Sequence, residues 1–294
     1  MNTKKPILNL VKERIVLLDG AMGSVLIDLG LEPGTPPESW NVTYPEKIQG
    51  IHLGYFNAGS DAILTNTFGG SGMKLAAHKH GNNVEKYNKK AVELAKAICP
   101  ENCYVAGDMG PSGAFLPPVG KVTVDDFYNN YLEQAGYLAD AGVDFFFIET
   151  MVDLKEAEAA VKAAKSISNK PIFASITYQL TKRGYFTIMG DTVPECVKTL
   201  EKAGANIIGA NCTIGSKEMV DLIALISTET KLPILAKPNA GKPILQSGKT
   251  VYPTSVKDFT EDISKIIDKG ANVVGGCCGT NPEYILAMRK LRGD

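Results

Sequence analysis

The sequence is poor in several things, and each shortage excludes something. No apolar run approaches the roughly 20 residues that cross a bilayer, so no membrane-spanning segment is expected. Lys and Arg total 31 against 32 Asp and Glu, a formal charge of −1. With no excess of either sign, nothing favours nucleic acid or an anionic membrane as a partner. Met1 to Glu13 is polar and basic, with no long apolar stretch. No secretory signal is therefore expected, and the reading is a cytoplasmic protein. The six cysteines then read as reduced thiols rather than a disulfide framework. No glycine-rich dinucleotide fingerprint follows the first apolar run. Only three histidines occur, His52, His78 and His80, in an early helical and loop region, and none is expected to act as a ligand or base.

What is present is a repeated alternation. At 294 residues and 44% apolar the chain is long enough for one large core, so residues 1–294 read as one domain. Short apolar runs recur: Leu17-Leu18, Ala62 to Phe68, Tyr104 to Asp108, Phe145 to Thr150, Ile172 to Thr177, Ile207 to Cys212, Ile234 to Asn239, and Val273-Val274 leading to Cys277-Cys278. Helical stretches separate them. Pro45 to Ala58, Val84 to Ile98 and Val124 to Ala139 are three, the last with apolar residues at 3.6-residue spacing. Thr123 with Asp126, Asp153 with Glu156, and Thr192 with Glu195 read as helix caps. Asn281 before Pro282 opens a final helix.

The joints repeat too. Gly59-Ser60-Asp61, Gly142-Val143-Asp144, Gly204-Ala205-Asn206 and Gly270-Ala271-Asn272 precede runs two, four, six and eight. Each reads as a helix-ending glycine turning directly into a strand. Eight such units at this length predict a single-domain (β/α)8 TIM barrel, with a doubly wound open sheet as the alternative.

In such a barrel the chemistry sits at the C-terminal ends of the strands. Those ends carry Asp19, Asn66, Asp108, Glu149, Thr177, Cys212, Asn239 and the pair Cys277-Cys278. Adjacent cysteines rarely bond each other, because the linkage strains the peptide between them. Runs six and eight flank run seven, so Cys212, Cys277 and Cys278 can converge. Three thiolates without an evident fourth protein ligand are the form of an open zinc site. Such a centre lowers the pKa of a substrate thiol and leaves its sulfur nucleophilic, which suits alkyl transfer to sulfur. Glu149 and Asp19 are placed to hold an ammonium group, and the Gly20-Ala21-Met22-Gly23 turn to meet a carboxylate. Two other readings stand beside this one. Cys277-Cys278 could carry redox chemistry through a vicinal disulfide, or the site could bind zinc and a thiol without turnover. Cys99, Cys103 and Cys196 lie on or beside helices and read as structural thiols.

Asp19-Gly20-Ala21-Met22-Gly23, Thr65-Asn66-Thr67-Phe68, Asn211-Cys212, Pro238-Asn239-Ala240-Gly241 and Gly275-Gly276-Cys277-Cys278-Gly279-Thr280 resemble the motifs of the homocysteine S-methyltransferase family. They span nearly the whole chain, in order. They look closest to the homocysteine-binding module of cobalamin-dependent methionine synthase. The resemblance implies a Zn2+-bearing barrel with Cys212, Cys277 and Cys278 as ligands and as the catalytic centre. It implies homocysteine as methyl acceptor and methionine as product. It carries Asp19, Gly20, Ala21, Met22 and Glu149 over as contacts to the amino acid, and places Asn239 near the metal or the amine. Nothing in the chain resembles a cobalamin- or pterin-binding domain, so the expected donor is a methylcobalamin on a separate corrinoid protein or module. Betaine- or S-methylmethionine-dependent transfer, or a methyltransferase acting on another small thiol, is the alternative. One segment departs from the family pattern: Gln179 to Gly190, after run five, is bulkier and more apolar than the usual short polar loop.

Overall fold

A computed structural model describes residues 4–246 and 249–292. Met1 to Thr3, the start of the basic N-terminal stretch, lie outside them. Eight strands form one parallel sheet: β1 (Val16–Leu17), β2 (Ala62–Leu64), β3 (Tyr104–Met109), β4 (Phe145–Met151), β5 (Ile172–Ile176), β6 (Ile207–Gly215), β7 (Ile234–Asn239) and β8 (Ala271–Val274). Their spatial order is β1-β8-β7-β6-β5-β4-β3-β2. Order in space follows order in sequence, with no reversal point, so the barrel is realised and the doubly wound alternative falls away.

The ladder closes everywhere except between β1 and β2, and carboxylates finish that seam. The Asp61 N–H donates to the Leu17 carbonyl at 2.7 Å. Leu17 N–H donates to Asp61 Oδ2 at 2.9 Å, and Leu64 N–H donates to Asp19 Oδ2 at 2.7 Å. Asp19 therefore holds the barrel shut as well as facing its mouth.

The repeated joints explain themselves here. Gly59, Gly142, Gly204 and Gly270 all have positive φ, from 91° to 109°, which glycine adopts without a Cβ penalty. The acid or amide two residues later turns back onto the preceding odd strand. Asp61 accepts from Leu17 N–H, Asp144 from Val105, Asn206 from Ile172 and Asn272 from Ile234, all at 2.7–3.0 Å. Each joint thus satisfies a backbone donor in the first two residues of an odd strand, a group that would otherwise be left unpaired.

Strand side chains alternate between two cores, as a closed sheet requires. Val16, Leu18, Leu64, Phe145, Phe147, Phe173, Ile207, Leu235 and Val273 fill the barrel. Ile7 and Val11 of the helix Ile7–Glu13 belong to the same cluster. Leu17, Ile63, Val105, Phe146, Ile172, Ile208 and Val274 face outward into the helical layer. Helices Pro45–Ala58, Val84–Ala97, Val124–Asp140, Leu154–Ile167, Val193–Ala203, Ser216–Glu229, Val256–Asp268 and Pro282–Met288 supply that layer.

Two capping boxes form as the sequence predicts, at Thr123 with Asp126 and at Thr192 with Glu195. The third does not. Asp153 caps its helix by accepting from Lys155 and Glu156 N–H, but the Glu156 carboxylate turns inward. It accepts from Ser112 and from the Tyr131 hydroxyl, because a buried acid needs those donors more than the cap does. The stretch after β5 is not an irregular loop. It is a hairpin pairing Gln179–Thr181 with Gly184–Phe186, and it leaves Leu180, Ile188 and Met189 exposed on the rim. A second rim hairpin, Ile244–Gln246 with Lys249–Val251, follows β7.

Candidate active site

The C-terminal ends of the strands surround a cavity of about 240 Å³. Asp19, Gly20, Ala21, Met22, Asp108, Glu149, Lys237, Cys212, Cys277 and Cys278 all line it. The site residues expected from sequence, with the exception of Asn239, therefore face one volume. Asn239 is buried just behind it, where its Oδ1 accepts from the Cys278 N–H at 3.0 Å.

Cys212 reaches the cavity through an irregularity in β6. Pairing with β7 shifts register between Asn211 and Gly215. Cys212 and Thr213 both adopt φ of 58°, a region non-glycine residues seldom occupy. Such strain persists only where neighbours over-determine it. The neighbour here is Asn211. Its Oδ1 accepts from Thr150 N–H at 2.8 Å and from Ser175 Oγ at 2.6 Å. Its Nδ2 donates to Glu149 Oε2 at 3.0 Å and to Thr150 Oγ1 at 2.7 Å. Asn211 thereby fixes Glu149 and the backbone before Cys212 in one network.

Cys277 and Cys278 are delivered by a tight turn. Gly276 N–H donates to the Asp19 carbonyl at 3.0 Å, and Cys277 N–H to the Pro238 carbonyl at 2.8 Å. A Cβ on Gly276 would lie 2.3 Å from Thr280 Oγ1, so the turn requires glycine. Thr280 Oγ1 donates to the Cys277 carbonyl at 2.7 Å and accepts from Ala21 N–H at 3.1 Å. That contact ties the cysteine turn to the turn after β1.

The three sulfurs lie within 4.8 Å of one another. Tetrahedral zinc–thiolate bonds of about 2.3 Å imply sulfur separations near 3.8 Å, so this donor set fits Zn2+ with little adjustment. All six cysteines are free thiols. Hydrogen bonds from the Cys212 and Cys277 thiols pull Cys278 down to about 3, while Cys277 is pushed well up by the same crowding and by burial. Three thiols crowded this closely share protons among themselves, and a soft cation that takes thiolate ligands would relieve the crowding.

Lys237 is the buried charge in the cavity wall that sequence reasoning passed over. It is 3% exposed, with Nζ 3.2 Å from Asp19 Oδ1 and 3.9 Å from Glu149 Oε2. Burial disfavours its charge, but Asp19, Glu149, Cys277 and Asp108 outweigh that and hold its pKa above the ordinary lysine value. Burial raises Asp19 and Glu149, and Lys237 offsets part of that rise while both stay above their ordinary values. A lysine inside an otherwise apolar strand was the signal available, since an unpaired buried ammonium is too costly to keep.

The remaining sequence candidates divide cleanly. Asn66 donates to the Pro37 carbonyl and to Asn41 Oδ1, and so pins the loop after β1. Thr177 Oγ1 donates to the Asn211 carbonyl. Cys196 is buried in a helix, and Cys99 and Cys103 flank a helix end, all off the cavity. His52 is buried with neither ring nitrogen bonded, and His78 lines the outer cavity.

A family model described as homocysteine S-methyltransferase matches residues 16–292. The chain belongs to the homocysteine S-methyltransferase family. Among relatives within reach of that assignment, the methionine synthase of Mycobacterium tuberculosis is 31% identical over 95% of this chain, and that of Mycobacterium leprae 30% over 95%. Both relatives are far longer: the chain spans about a quarter of their length. Among solved structures, the homocysteine methyltransferase MmuM from Escherichia coli in its metallated form superposes with a TM-score of 0.81, covering 98% of this chain and 100% of that one. Its apo form gives 0.73. At 24% identity these two matches bear on the fold. Family membership thus rests on the chain-long sequence match, and the barrel is shared.

Proposed function

We propose that this chain transfers a methyl group to the thiol of homocysteine, giving methionine, with Zn2+ held by Cys212, Cys277 and Cys278. The observation that carries the reading is the meeting of three thiols from β6 and the turn after β8 at one end of a cavity whose walls hold acids and backbone turns suited to an amino acid. Bound there, the metal supplies a lowered thiol pKa at a sulfur that stays electron-rich. The chain's own residues do the rest. Glu149, oriented by Asn211, meets the ammonium. The carboxylate meets the turn after β1 at Met22 and Gly23, because Ala21 N–H is already given to Thr280. Asp19 buttresses this wall through Leu64 and Lys237. Asn239 fixes the Cys278 backbone.

The donor in this reading is a methylcorrinoid on a partner protein or module. A methylcorrinoid would supply the methyl group and keep the bonding electron pair, so that the homocysteine sulfur lone pair would form the new S–CH3 bond. The thiol proton leaves to solvent. Two observations favour this donor over betaine or S-methylmethionine. The relatives named methionine synthase are about four times as long as this chain, leaving room for donor modules. Cationic methyl donors are best held by aromatic cages, whereas among the described residues Phe68 is the single Phe, Tyr or Trp ring in the cavity lining, which also holds Lys74. The cytoplasmic setting that suits free thiols belongs to the same reading. No helix among the described residues is long and apolar enough to cross a membrane.

The test is direct. Zinc-loaded protein given homocysteine and methylcobalamin should yield methionine, with one zinc per chain that is lost in Cys212→Ala. Methionine from betaine or S-methylmethionine alone would overturn the donor. Zinc and homocysteine binding without turnover of any donor would make the chain a binding module. Metal-free protein with full activity would remove zinc from the reading.

A further inference from the structure

One buried side-chain oxygen in the cavity wall has no hydrogen-bond partner among the described residues. Asp108, at the end of β3, is 5% exposed, and its Oδ1 is buried without a hydrogen bond. Its backbone is fully engaged. The N–H donates to Thr65 Oγ1 at 3.1 Å, and the carbonyl accepts from Thr67 Oγ1 at 2.7 Å. The residue is therefore rigidly placed while its carboxyl waits. Neighbouring polar groups are spoken for. Asp19 accepts from Leu64 N–H on one oxygen and from Lys237 on the other. Glu149 accepts from Asn211. Glu38 accepts from Gly69 N–H, and Asn66 bonds the loop. The ion pairs of Lys237 run to Asp19 and Glu149.

A buried carboxyl left without a partner costs about 1–3 kcal/mol or more, so a protein that keeps one in a cavity wall is keeping it for something that enters. The chemistry of the entrant follows from the surroundings. Asp19 and Glu149 face the same volume, so the missing partner is a cation or a multiple donor. A primary ammonium has three donors to share. Burial and the nearby Glu149 charge push the Asp108 carboxyl well above its ordinary range, and an arriving ammonium would relieve both effects.

We infer that Asp108 is a substrate-binding residue that takes the α-ammonium of an amino-acid thiol jointly with Glu149, and so makes the site select against thiols that lack the amine. Asp19, the acid that the sequence nominates for this contact, is committed to the seam and to Lys237. The inference rests on the homocysteine reading above, and its failure is separable from the failure of that reading.

The test compares L-homocysteine with 4-mercaptobutanoate, the same chain without the amine. Calorimetry on zinc-loaded wild type and Asp108→Asn gives four dissociation constants. A hydrogen bond to a charged group is worth about 1.5–3 kcal/mol. The substitution should accordingly weaken homocysteine by about 10–100-fold, leave 4-mercaptobutanoate within about 3-fold, and keep one zinc per chain. Tm should hold or rise, because an orphan carboxyl has been neutralised. An unchanged ratio of the two constants overturns the inference while leaving the homocysteine reading intact. The same ratio with a fallen Tm would give Asp108 a purely structural role. Wild type that binds neither thiol overturns both readings.

Discussion

At the scale of single residues, the molecule is most informative where a polar side chain is buried. Lys237, Asp108 and His52 each sit in or near the core, and each is treated differently. Lys237 is balanced by two carboxylates. Asp108 is held open toward the cavity. His52 lies inside the helix Pro45–Ala58 with neither nitrogen bonded, and burial lowers its pKa from 6.5 to about 4. The unfolded chain protonates this ring first as pH falls. Stability present above pH 6.5 is therefore lost as pH drops toward 4, by about 3 kcal/mol at roughly 1.4 kcal/mol per pKa unit. Other buried acids titrate in the opposite sense, so the effect is read as a difference. Denaturant unfolding of His52→Leu and wild type at pH 7 and at pH 4 should show the gap moving by about that amount in favour of the variant. A pH-independent gap would mean the ring is already charged or partnered. The chain placed Asp108 at a strand end and Lys237 inside an apolar run, but which partners each one meets was not available from it, because partnership is a property of the folded neighbourhood. The cysteines differ: Cys277-Cys278 among glycines and Cys212 at a run's end advertised a shared role before any contact was known.

At the scale of elements, the joints carry the repeat. A helix-ending glycine followed two residues later by Asp or Asn recurs before β2, β4, β6 and β8, and each time the side chain accepts from the preceding odd strand. The glycine half was legible in the sequence, since positive φ after a helix is a local demand. The acceptor half was not, since its partner lies 34 to 44 residues away. Asn206→Ala isolates this device. It strands the Ile172 N–H at the start of β5, and should cost about 1–3 kcal/mol in urea unfolding with zinc binding unchanged. A loss under about 0.5 kcal/mol would mean that water replaces the amide. The rim segment 179–190 shows the converse. Its composition announced a departure, but only pairing across Gln179–Phe186 made it a hairpin.

At the scale of the whole molecule, the candidate metal centre bridges the barrel. Cys212 comes from β6 and Cys277-Cys278 from the turn beyond β8, which hydrogen-bonds both β7 and the turn after β1. A ligand that binds only the folded state raises stability by mass action, by about 2.7 kcal/mol at a hundredfold excess over Kd. Zinc should raise Tm by several degrees in a single cooperative transition. A chelator should reverse the rise, more readily at low pH where protons compete for the thiols, and Cys212→Ala should abolish it. An unchanged Tm on adding zinc to wild type would argue that the three sulfurs do not act as one site.

What the sequence determined by itself was periodic and local. Eight apolar runs, their glycine joints and two of three capping boxes set the βα units, because each depends on neighbours within a few residues, while the strand order that makes them a barrel came from the fold. The thiol site was also within reach, since barrel topology sends strand ends to one rim. Tertiary structure alone decided which acids carry hydrogen-bond partners. Asp19 and Asp108 look alike in the chain, each an acid at the end of an apolar run. Only the meeting of β1, β2 and β7 commits Asp19 to Leu64 and Lys237, and leaves Asp108 with an oxygen to offer.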